Sequence, residues 1–175
     1  MNPPVKIAQL GDEVLRLQAR RVDEFTCTKF HGLIQTMQRM MLEHNGVGIA
    51  APQLGESWRI VVVASRPTPR YPNAPEMAAV TMVNPEFDIV DATVDSDWEG
   101  CLSIPGIRAL VPRYRGIAVR YQNPAGVVCE LALSGFPARV FQHEYDHLIG
   151  KVYLDRVENN ADIISETEYC KRLAA

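Results

Sequence analysis

Apolar residues recur at helical spacing near the N-terminus and gather in short runs through the middle of the chain. Residues 25–44 carry apolar side chains three or four positions apart, the pattern of a helix with one buried face. These apolar positions are Phe30, Leu33, Ile34, Met37 and Met41. The pattern predicts a long amphipathic helix whose methionines pack in the core.

Short runs rich in β-branched and aromatic residues follow this helix. Antiparallel strands are predicted at residues 59–64, 80–90, 116–121 and 127–133, with a hairpin turn at residues 123–126. Residues 66–76 contain four prolines and predict a stiff surface loop that borders a groove or simply connects two strands. Residues 161–175 are expected to form a short final helix.

The segment Gln142 to His147 contains the pattern HExxH, flanked by apolar residues at 133–140 and 148–154 that indicate a helix with a buried face. Residues four apart on a helix differ in direction by about 40° and lie roughly 6 Å apart, so His143 and His147 can converge on one metal ion. Glu144 then lies beside the ion, where a carboxylate can take a proton from a metal-bound water. Any helix-rich chain can also carry this pattern by chance.

A two-histidine site needs a third protein ligand, and the sequence offers more than one. Tyr153 occupies the position where the metzincin pattern requires a third histidine, so that class is disfavoured. A late glutamate would suit another class of metallopeptidase, and three are in position: Glu158, Glu166 and Glu168. Cys101, between Gly100 and the Pro105-Gly106 pair, is expected in a closely shaped loop that could present its sulfur to an ion, although a free cysteine is more often a small core residue.

A third segment, GVGIAAPQ at residues 46–53, is dense in small residues that let another backbone approach closely. Asn45-Gly46 also fits the end of a helix, with His44 favoured by the helix dipole in the last turn. For His44, Asn45 and Gly46 this structural interpretation is preferred over a catalytic role.

Three motifs in the order GVGIAAPQ, EGCLS and HEYDH resemble peptide deformylase, over about residues 9–156. Together they are far more specific than any one alone. The positions that match the family pattern are Gly46, Gly48, Ala50, Ala51, Gln53, Glu99, Gly100, Cys101, Ser103, His143, Glu144, Asp146 and His147. The resemblance implies an α+β fold, with antiparallel or mixed sheets wrapped around a central helix that carries HExxH, plus the long N-terminal helix, in one catalytic domain over residues 1–175.

The resemblance also implies a reaction, the removal of the formyl group from the initiator N-formylmethionine of nascent chains with release of formate. Cys101, His143 and His147 would hold one divalent metal ion, with Fe²⁺ expected in the cell and Zn²⁺, Ni²⁺ or Co²⁺ able to occupy the site. A metal-bound water would attack the formyl carbon with Glu144 as general acid/base. The side chain of Gln53 and the backbone N–H of Leu102 would stabilise the oxyanion.

Residues near these motifs predict a pocket for the methionine side chain. Helical phase and loop position suggest walls at Val47, Ile104, Val140 and the aliphatic stem of Arg139, whose charge would make one rim polar. By resemblance, Gly48 contacts the substrate backbone, and Arg108 lies near the peptide-binding groove. The far nitrogens of the two imidazoles need acceptors, and Asp146 is expected either to serve there or to pair with an arginine. A binding-only relative remains an alternative, as does the late-glutamate metallopeptidase.

Composition narrows the class of protein. A chain of 175 residues can bury about 70% of its unfolded surface in one domain. Its four cysteines lack disulfide-like spacing, and no signal peptide or long apolar span is visible, which leads us to expect no membrane partner and a bacterial cytoplasmic location, with an organellar origin left open. A net charge of −3 without a basic run argues against sequence-specific nucleic-acid binding.

The resemblance implies a transient contact with the ribosome, which other bacterial members make through a basic C-terminal surface. Here the tail is acidic, because Asp162, Glu166 and Glu168 outweigh Lys171 and Arg172. Docking through this tail is therefore not expected.

Overall fold

A computed structural model describes residues 6–173 and has an α+β fold, as predicted. Within these residues, three α-helices accompany one six-stranded sheet whose neighbouring strands all pair antiparallel. The helices are α1 (Thr28–Glu43), α2 (Gly135–Leu148) and α3 (Glu166–Leu173). The strands are β1 (Gly48–Ala50), β2 (Ile60–Ser65), β3 (Met77–Cys101), β4 (Ile104–Gln122), β5 (Val128–Ser134) and β6 (Ile163–Ser165). Their order in the sheet is β1-β2-β3-β4-β5, with β6 paired to β4.

Helix α1 begins three residues later than predicted and buries the apolar face that the sequence indicated. Its end confirms the capping interpretation. Asn45 has φ 52°, and its N–H donates to the Leu42 carbonyl at 3.0 Å, while the Gly46 N–H donates to Met41 at 2.8 Å. These bonds satisfy carbonyls that a helix end leaves unpaired. The turn therefore closes α1 and directs the chain into β1.

Strand β2 is buried along its whole length because helices cover both faces of the sheet there. Ile60 and Val62 belong to the apolar cluster built around α1. Val61 and Val63 belong to a second cluster that contains α2 residues such as Phe141. Alternate side chains of a strand point to opposite faces, so one strand supports both helices. This double cover explains why β2 is a continuous apolar run.

Strands β3 and β4 are much longer than the predicted strands at 80–90 and 116–121. The additional pairing runs from Val94 opposite Tyr114 to Cys101 opposite Ile104 and leaves Leu102 and Ser103 as a two-residue turn. This part of β3 is mostly exposed and polar, so it lacks the apolar alternation that identifies a half-buried strand. Cys101 therefore ends a strand at a hairpin tip, whereas the sequence led us to expect a loop.

The C-terminal segment also differs from the prediction of one helix over 161–175. Residues 163–165 pair with β4 as strand β6 before α3 begins at Glu166, and residues 174–175 lie outside the described part of the chain. Ile163 and Ile164 provide the β-branched side chains that favour a strand at this position. Among residues 6–173, no helix has the length and apolar character needed to span a bilayer.

Candidate metal centre

Three potential metal ligands meet where α2 passes the tip of the β3–β4 hairpin. The nearest ligand atoms of Cys101, His143 and His147 all lie within 4.8 Å of one another, and Cys101 Sγ is 3.3 Å from His147 Nε2. A tetrahedral ion with ligand bonds of about 2.0 to 2.3 Å holds its ligand atoms roughly 3.5 Å apart. Thiolate and imidazole together suit Fe²⁺, Zn²⁺, Ni²⁺ and Co²⁺. The spacing and the donor set therefore fit one divalent transition-metal ion.

Glu99 orients the first imidazole. Its Oε2 accepts a hydrogen bond from His143 Nδ1 at 2.8 Å, which leaves Nε2 of that ring free to face Cys101. Asp146, the other candidate acceptor, instead pairs with Arg113 and Arg156, each at 2.6 Å. Nδ1 of His147 has no hydrogen-bond partner among the described residues, contrary to the expectation of an acceptor for both rings.

Two buried arginines complete the surroundings of Glu99. Arg113 donates two hydrogen bonds to its carboxylate at 2.9 Å, and Arg139 donates a third at 2.9 Å. Burial alone would raise the pKa of Glu99, but Arg113 and His143 hold that pKa well below its usual range. The carboxylate therefore stays charged and keeps His143 in one tautomer.

Replacing Glu99 with Gln is expected to lower the free energy of unfolding by about 3 kcal/mol, because it removes the negative charge that two buried arginines share. Urea unfolding of the metal-free proteins measures this loss. Asp95→Asn is a matched control: it breaks the exposed Arg115 pair and should change stability little. A Glu99→Gln protein as stable as the control would contradict the buried network.

The difference in unfolding free energy between wild type and Glu99→Gln is also expected to depend on pH. A carboxylate with a lowered folded-state pKa contributes its stability above its unfolded pKa, near 4.5 for Glu99, and loses it as the pH falls through the folded value. The amide that replaces the carboxylate in Glu99→Gln cannot titrate. The stability difference between wild type and Glu99→Gln should therefore be largest near neutral pH and shrink in acid.

Glu144 lies beside the candidate ligands and is almost fully buried. Burial raises the pKa of its carboxyl to about 7, and Oε2 has no hydrogen-bond partner among the described residues. Gly48 makes room for it: a Cβ at Gly48 would lie 2.8 Å from both Cγ and Cδ of Glu144. A carboxyl that titrates near neutrality can both accept and return a proton.

The amide of Gln53 is fixed with its NH₂ toward the candidate ligands. Its Oε1 accepts from the Ala50 N–H at 2.8 Å, while Nε2 donates to Ser103 Oγ at 3.3 Å and lies 3.4 Å from Cys101 Sγ. The Ser103 N–H also donates to that sulfur at 3.4 Å. These contacts hold the Gln53 amide and the turn at Ser103 against the Cys101 sulfur.

A cavity opens next to Glu144 and contains most of the predicted substrate residues. The predicted substrate residues that line it are Val47, Gly48, Arg139 and Val140. The other predicted site residues in its lining are Gln53, Cys101, Leu102, His143 and Glu144. Tyr71 and Phe136 also line it, and neither was predicted from the sequence. Tyr71 belongs to the proline-rich loop at 66–76, which therefore borders the groove. The backbone carbonyl of Leu102 accepts from Gln9 Nε2 at 3.3 Å.

Three further residues were predicted at or near the pocket. Ile104 lies outside this cavity, in an apolar cluster with Val111 and Tyr153. The sequence left the direction of the Arg139 side chain open, and its guanidinium turns inward to Glu99. Arg108 is buried, lines an adjacent groove, and donates to the hydroxyl of Tyr71, which lines the cavity.

The late glutamates do not join the metal ligands. Glu166 pairs with Arg108 at 2.9 Å, and Glu168 pairs with Lys171 at 2.7 Å. Glu158 lines a different cavity, beside Arg156. Tyr153, in the metzincin histidine position, stacks on the His143 ring with centroids 5.7 Å apart. Cys101 is thus the third candidate ligand.

Comparison with known proteins agrees with this arrangement. Residues 4–162 match the sequence profile of the Polypeptide deformylase family. The chain is 46% identical to peptide deformylase 2 of Nostoc sp. over 97% of this chain and 95% of that protein. It is 44% identical to peptide deformylase 2 of Shewanella oneidensis, over 89% of this chain and 85% of the relative.

Solved structures show the same likeness in three dimensions. A class I type b peptide deformylase from Acinetobacter baumannii, crystallised with bound Met-Ala-Ser, superposes with a TM-score of 0.85 at 44% identity, covering 90% of this chain and all of that one. The chain therefore belongs to the peptide deformylase family.

Proposed function

We propose that the cavity beside Cys101, His143 and His147 is where this chain hydrolyses the formyl group of N-formylmethionyl peptides. As a member of its family, the chain is a metal-dependent hydrolase that removes the N-formyl group from nascent polypeptides. The observation that carries the proposal is the buried Glu144 carboxyl, which lies beside the three ligands with no hydrogen-bond partner for Oε2 among residues 6–173. The binding-only alternative is not favoured, because every catalytic position that the family resemblance names is present in the sequence.

The donor set leads us to propose Fe²⁺ as the physiological ion, with Zn²⁺, Ni²⁺ or Co²⁺ able to replace it in a purified sample. A divalent ion supplies Lewis acidity, which lowers the pKa of water toward about 7 and so provides hydroxide at neutral pH. The thiolate of Cys101 is soft and oxidisable. We therefore expect the iron-loaded protein to lose activity in air and the zinc-loaded protein to be stable.

Protein groups divide the remaining chemistry. Glu144 accepts the proton of the attacking water and later delivers it to the leaving amine, two roles that its raised pKa suits. The Gln53 amide and the backbone N–H of Leu102 are the proposed donors to the oxyanion, each stabilising the transition state by roughly 3 kcal/mol. Gln53 is held for this role by the bond from Ala50.

The substrate pocket we propose has Val47 and Val140 as apolar walls and Gly48 against the peptide backbone. Tyr71 and Phe136 extend the same wall. The Acinetobacter baumannii relative holds Met-Ala-Ser, a peptide that begins with methionine. An apolar pocket next to the ligands suits the same side chain here.

Three wider expectations complete the proposal. The chain acts as one catalytic domain over residues 1–175, of which residues 1–5 and 174–175 lie outside the described structure. It works in the bacterial cytoplasm. Contact with the ribosome is transient and does not use an acidic tail as its docking surface.

Formate release tests the proposed function. The protein is purified without oxygen, loaded with Fe²⁺ and given formyl-Met-Ala-Ser or acetyl-Met-Ala-Ser. Rapid formate release from the first peptide with no cleavage of the second is the expected result. Binding of metal without any formate release would contradict deformylation.

Replacing Gly48 with Ala is expected to lower kcat by about 100-fold, because the added methyl group would displace the Glu144 carboxylate. Metal content should stay unchanged. Gly32→Ala is the matched control, since nothing lies within 4 Å of a Cβ at that exposed helical position. An unaltered kcat in Gly48→Ala would mean that Glu144 tolerates displacement or does not act as the base.

A further inference from the structure

The C-terminal segment, residues 163–173, lies beyond the part of the chain that matches the family profile, yet it packs next to the active site. Strand β6 pairs with β4, with Ser165 opposite Ile107 and Ile164 opposite Arg108. Helix α3 follows at Glu166 without a connecting loop. The first turn of α3 is therefore fixed beside Arg108, seven residues after the metal-ligand candidate Cys101.

Arg108 is the centre of a cluster that joins α3 to the proline-rich loop. Its side chain is 2% exposed, and its guanidinium lies over the rings of Tyr71 and Tyr169 at 5.4 and 5.0 Å. One nitrogen donates to Glu166 Oε1 at 2.9 Å and another to the Tyr71 hydroxyl at 3.0 Å. Among the described residues, Glu166 supplies the one carboxylate that pairs with this buried charge. Glu166 thus determines where the guanidinium can lie.

The same cluster holds the loop that borders the substrate cavity. Tyr169 donates its hydroxyl hydrogen to the Arg70 carbonyl at 3.2 Å, and Arg70 Nε lies 3.4 Å from Glu166. Arg70 and Tyr71 both line the cavity that contains Glu144. A Cβ at Gly100 would lie 2.7 Å from the Arg108 guanidinium, so this arginine also packs against the backbone that leads to Cys101.

We infer that Glu166 and Tyr169 are positioning residues for the substrate. Glu166 acts through Arg108 and Tyr169 acts through the Arg70 carbonyl, and together they hold Tyr71 as one wall of the peptide-binding cavity. This inference rests on the proposed function. Neither residue touches the candidate metal ligands, and neither reaches Glu144. Their loss should therefore weaken the binding of the peptide and leave the chemical step intact.

The test compares Glu166→Gln with Glu168→Gln, a neighbour on the same helix that pairs only with Lys171 among the described residues. We expect KM for formyl-Met-Ala-Ser to rise about tenfold in Glu166→Gln, with kcat changed less than about twofold and metal content unchanged. Glu168→Gln should match wild type in all three. Equal KM values in the two variants, or a loss in kcat alone, would overturn the inference.

A binding measurement separates this inference from the proposed function. Calorimetric titration with the deformylated peptide Met-Ala-Ser needs no turnover, and Kd should rise about tenfold in Glu166→Gln alone. A wild-type protein that binds Met-Ala-Ser but releases no formate would contradict the proposed function. The role of Glu166 in peptide binding would still be tested by comparing Kd values. An unchanged Kd in Glu166→Gln would overturn the inference that Glu166 positions the cavity wall, even if the enzyme is active.

Tyr169→Phe provides a second variant, which keeps the ring over Arg108 and removes only the bond to the Arg70 carbonyl. KM is expected to rise about threefold, with thermal unfolding close to that of wild type. This variant decides the question if Glu166→Gln does not fold. A Tyr169→Phe protein with wild-type KM and Kd would then overturn the inference.

Discussion

Replacing Glu144 with Gln is expected to lower kcat for formate release by about 10³-fold while the protein retains its metal. The substitution keeps the size of the side chain and removes the group that accepts and returns the proton, an effect in the range of general acid–base catalysis. The measurement is formate release under iron loading, with metal content determined on the same sample. Glu130→Gln, on the exposed face of β5, is the control and should behave as wild type.

The pH profile gives a second view of the same residue. The proposed mechanism uses Glu144 as a carboxylate, so activity should rise with pH as this group loses its proton. Burial raises its pKa to about 7 in the metal-free protein, and a nearby divalent cation stabilises the carboxylate and lowers that pKa. The acidic limb of kcat/KM should therefore lie below pH 7 in the loaded enzyme. If a Glu144→Gln protein with residual activity shows the acidic limb of kcat/KM at the same pH, that limb reports another group.

Replacing Cys101, the proposed sulfur ligand, with Ala is expected to weaken metal affinity more than about a hundredfold and to abolish formate release. Loss of outer hydrogen bonds alone costs a metal site about 10- to 100-fold, and a direct ligand contributes more. Metal content after dialysis against a graded chelator measures the effect. Cys129→Ala, which changes a thiol on β5, should retain metal as wild type does.

This variant also decides between the two metal-site hypotheses that the sequence left open. A metallopeptidase with a late glutamate as third ligand would keep its metal in Cys101→Ala. In the structure Glu166 and Glu168 are already paired with Arg108 and Lys171. Full metal retention in Cys101→Ala would contradict the Cys101 site and reopen that alternative.

Much of the site could be predicted from sequence because helical geometry fixes it locally. His143, Glu144 and His147 take their relative positions from one helix, and the apolar flanks of HExxH indicated that helix correctly. Cys101 lies at the end of β3, whereas the two histidines lie on α2. Local spacing does not show that these two elements come together, so the prediction of Cys101 as the third ligand needed the family resemblance. The spacing of residues in the sequence predicts which of them share one face of a helix, but it does not predict which elements lie next to each other.

Other features depended on long-range pairing and were missed. Arg139 sits one turn before His143, which suggested a pocket rim, but the charge of Glu99 draws its guanidinium inward. The EGCLS motif contained Glu99, yet nothing in the spacing linked it to His143. Ile104 lies beyond the hairpin turn and joins a different apolar cluster from Val140. Each of these features depends on a partner that is distant along the chain.

The hairpin tip has a consequence for how the protein holds together. Cys101 lies at a β-turn that is separated from α2 by β4 and β5, and the described part of the chain contains four free thiols and no disulfide. An ion shared by Cys101, His143 and His147 closes that long loop as a covalent cross-link would, at an entropic gain that grows with loop length. An ion that binds the folded chain and not the unfolded chain stabilises the fold by its binding free energy. If the proposed ion binds these three residues, chelation should lower the melting temperature of the protein as well as the rate of formate release.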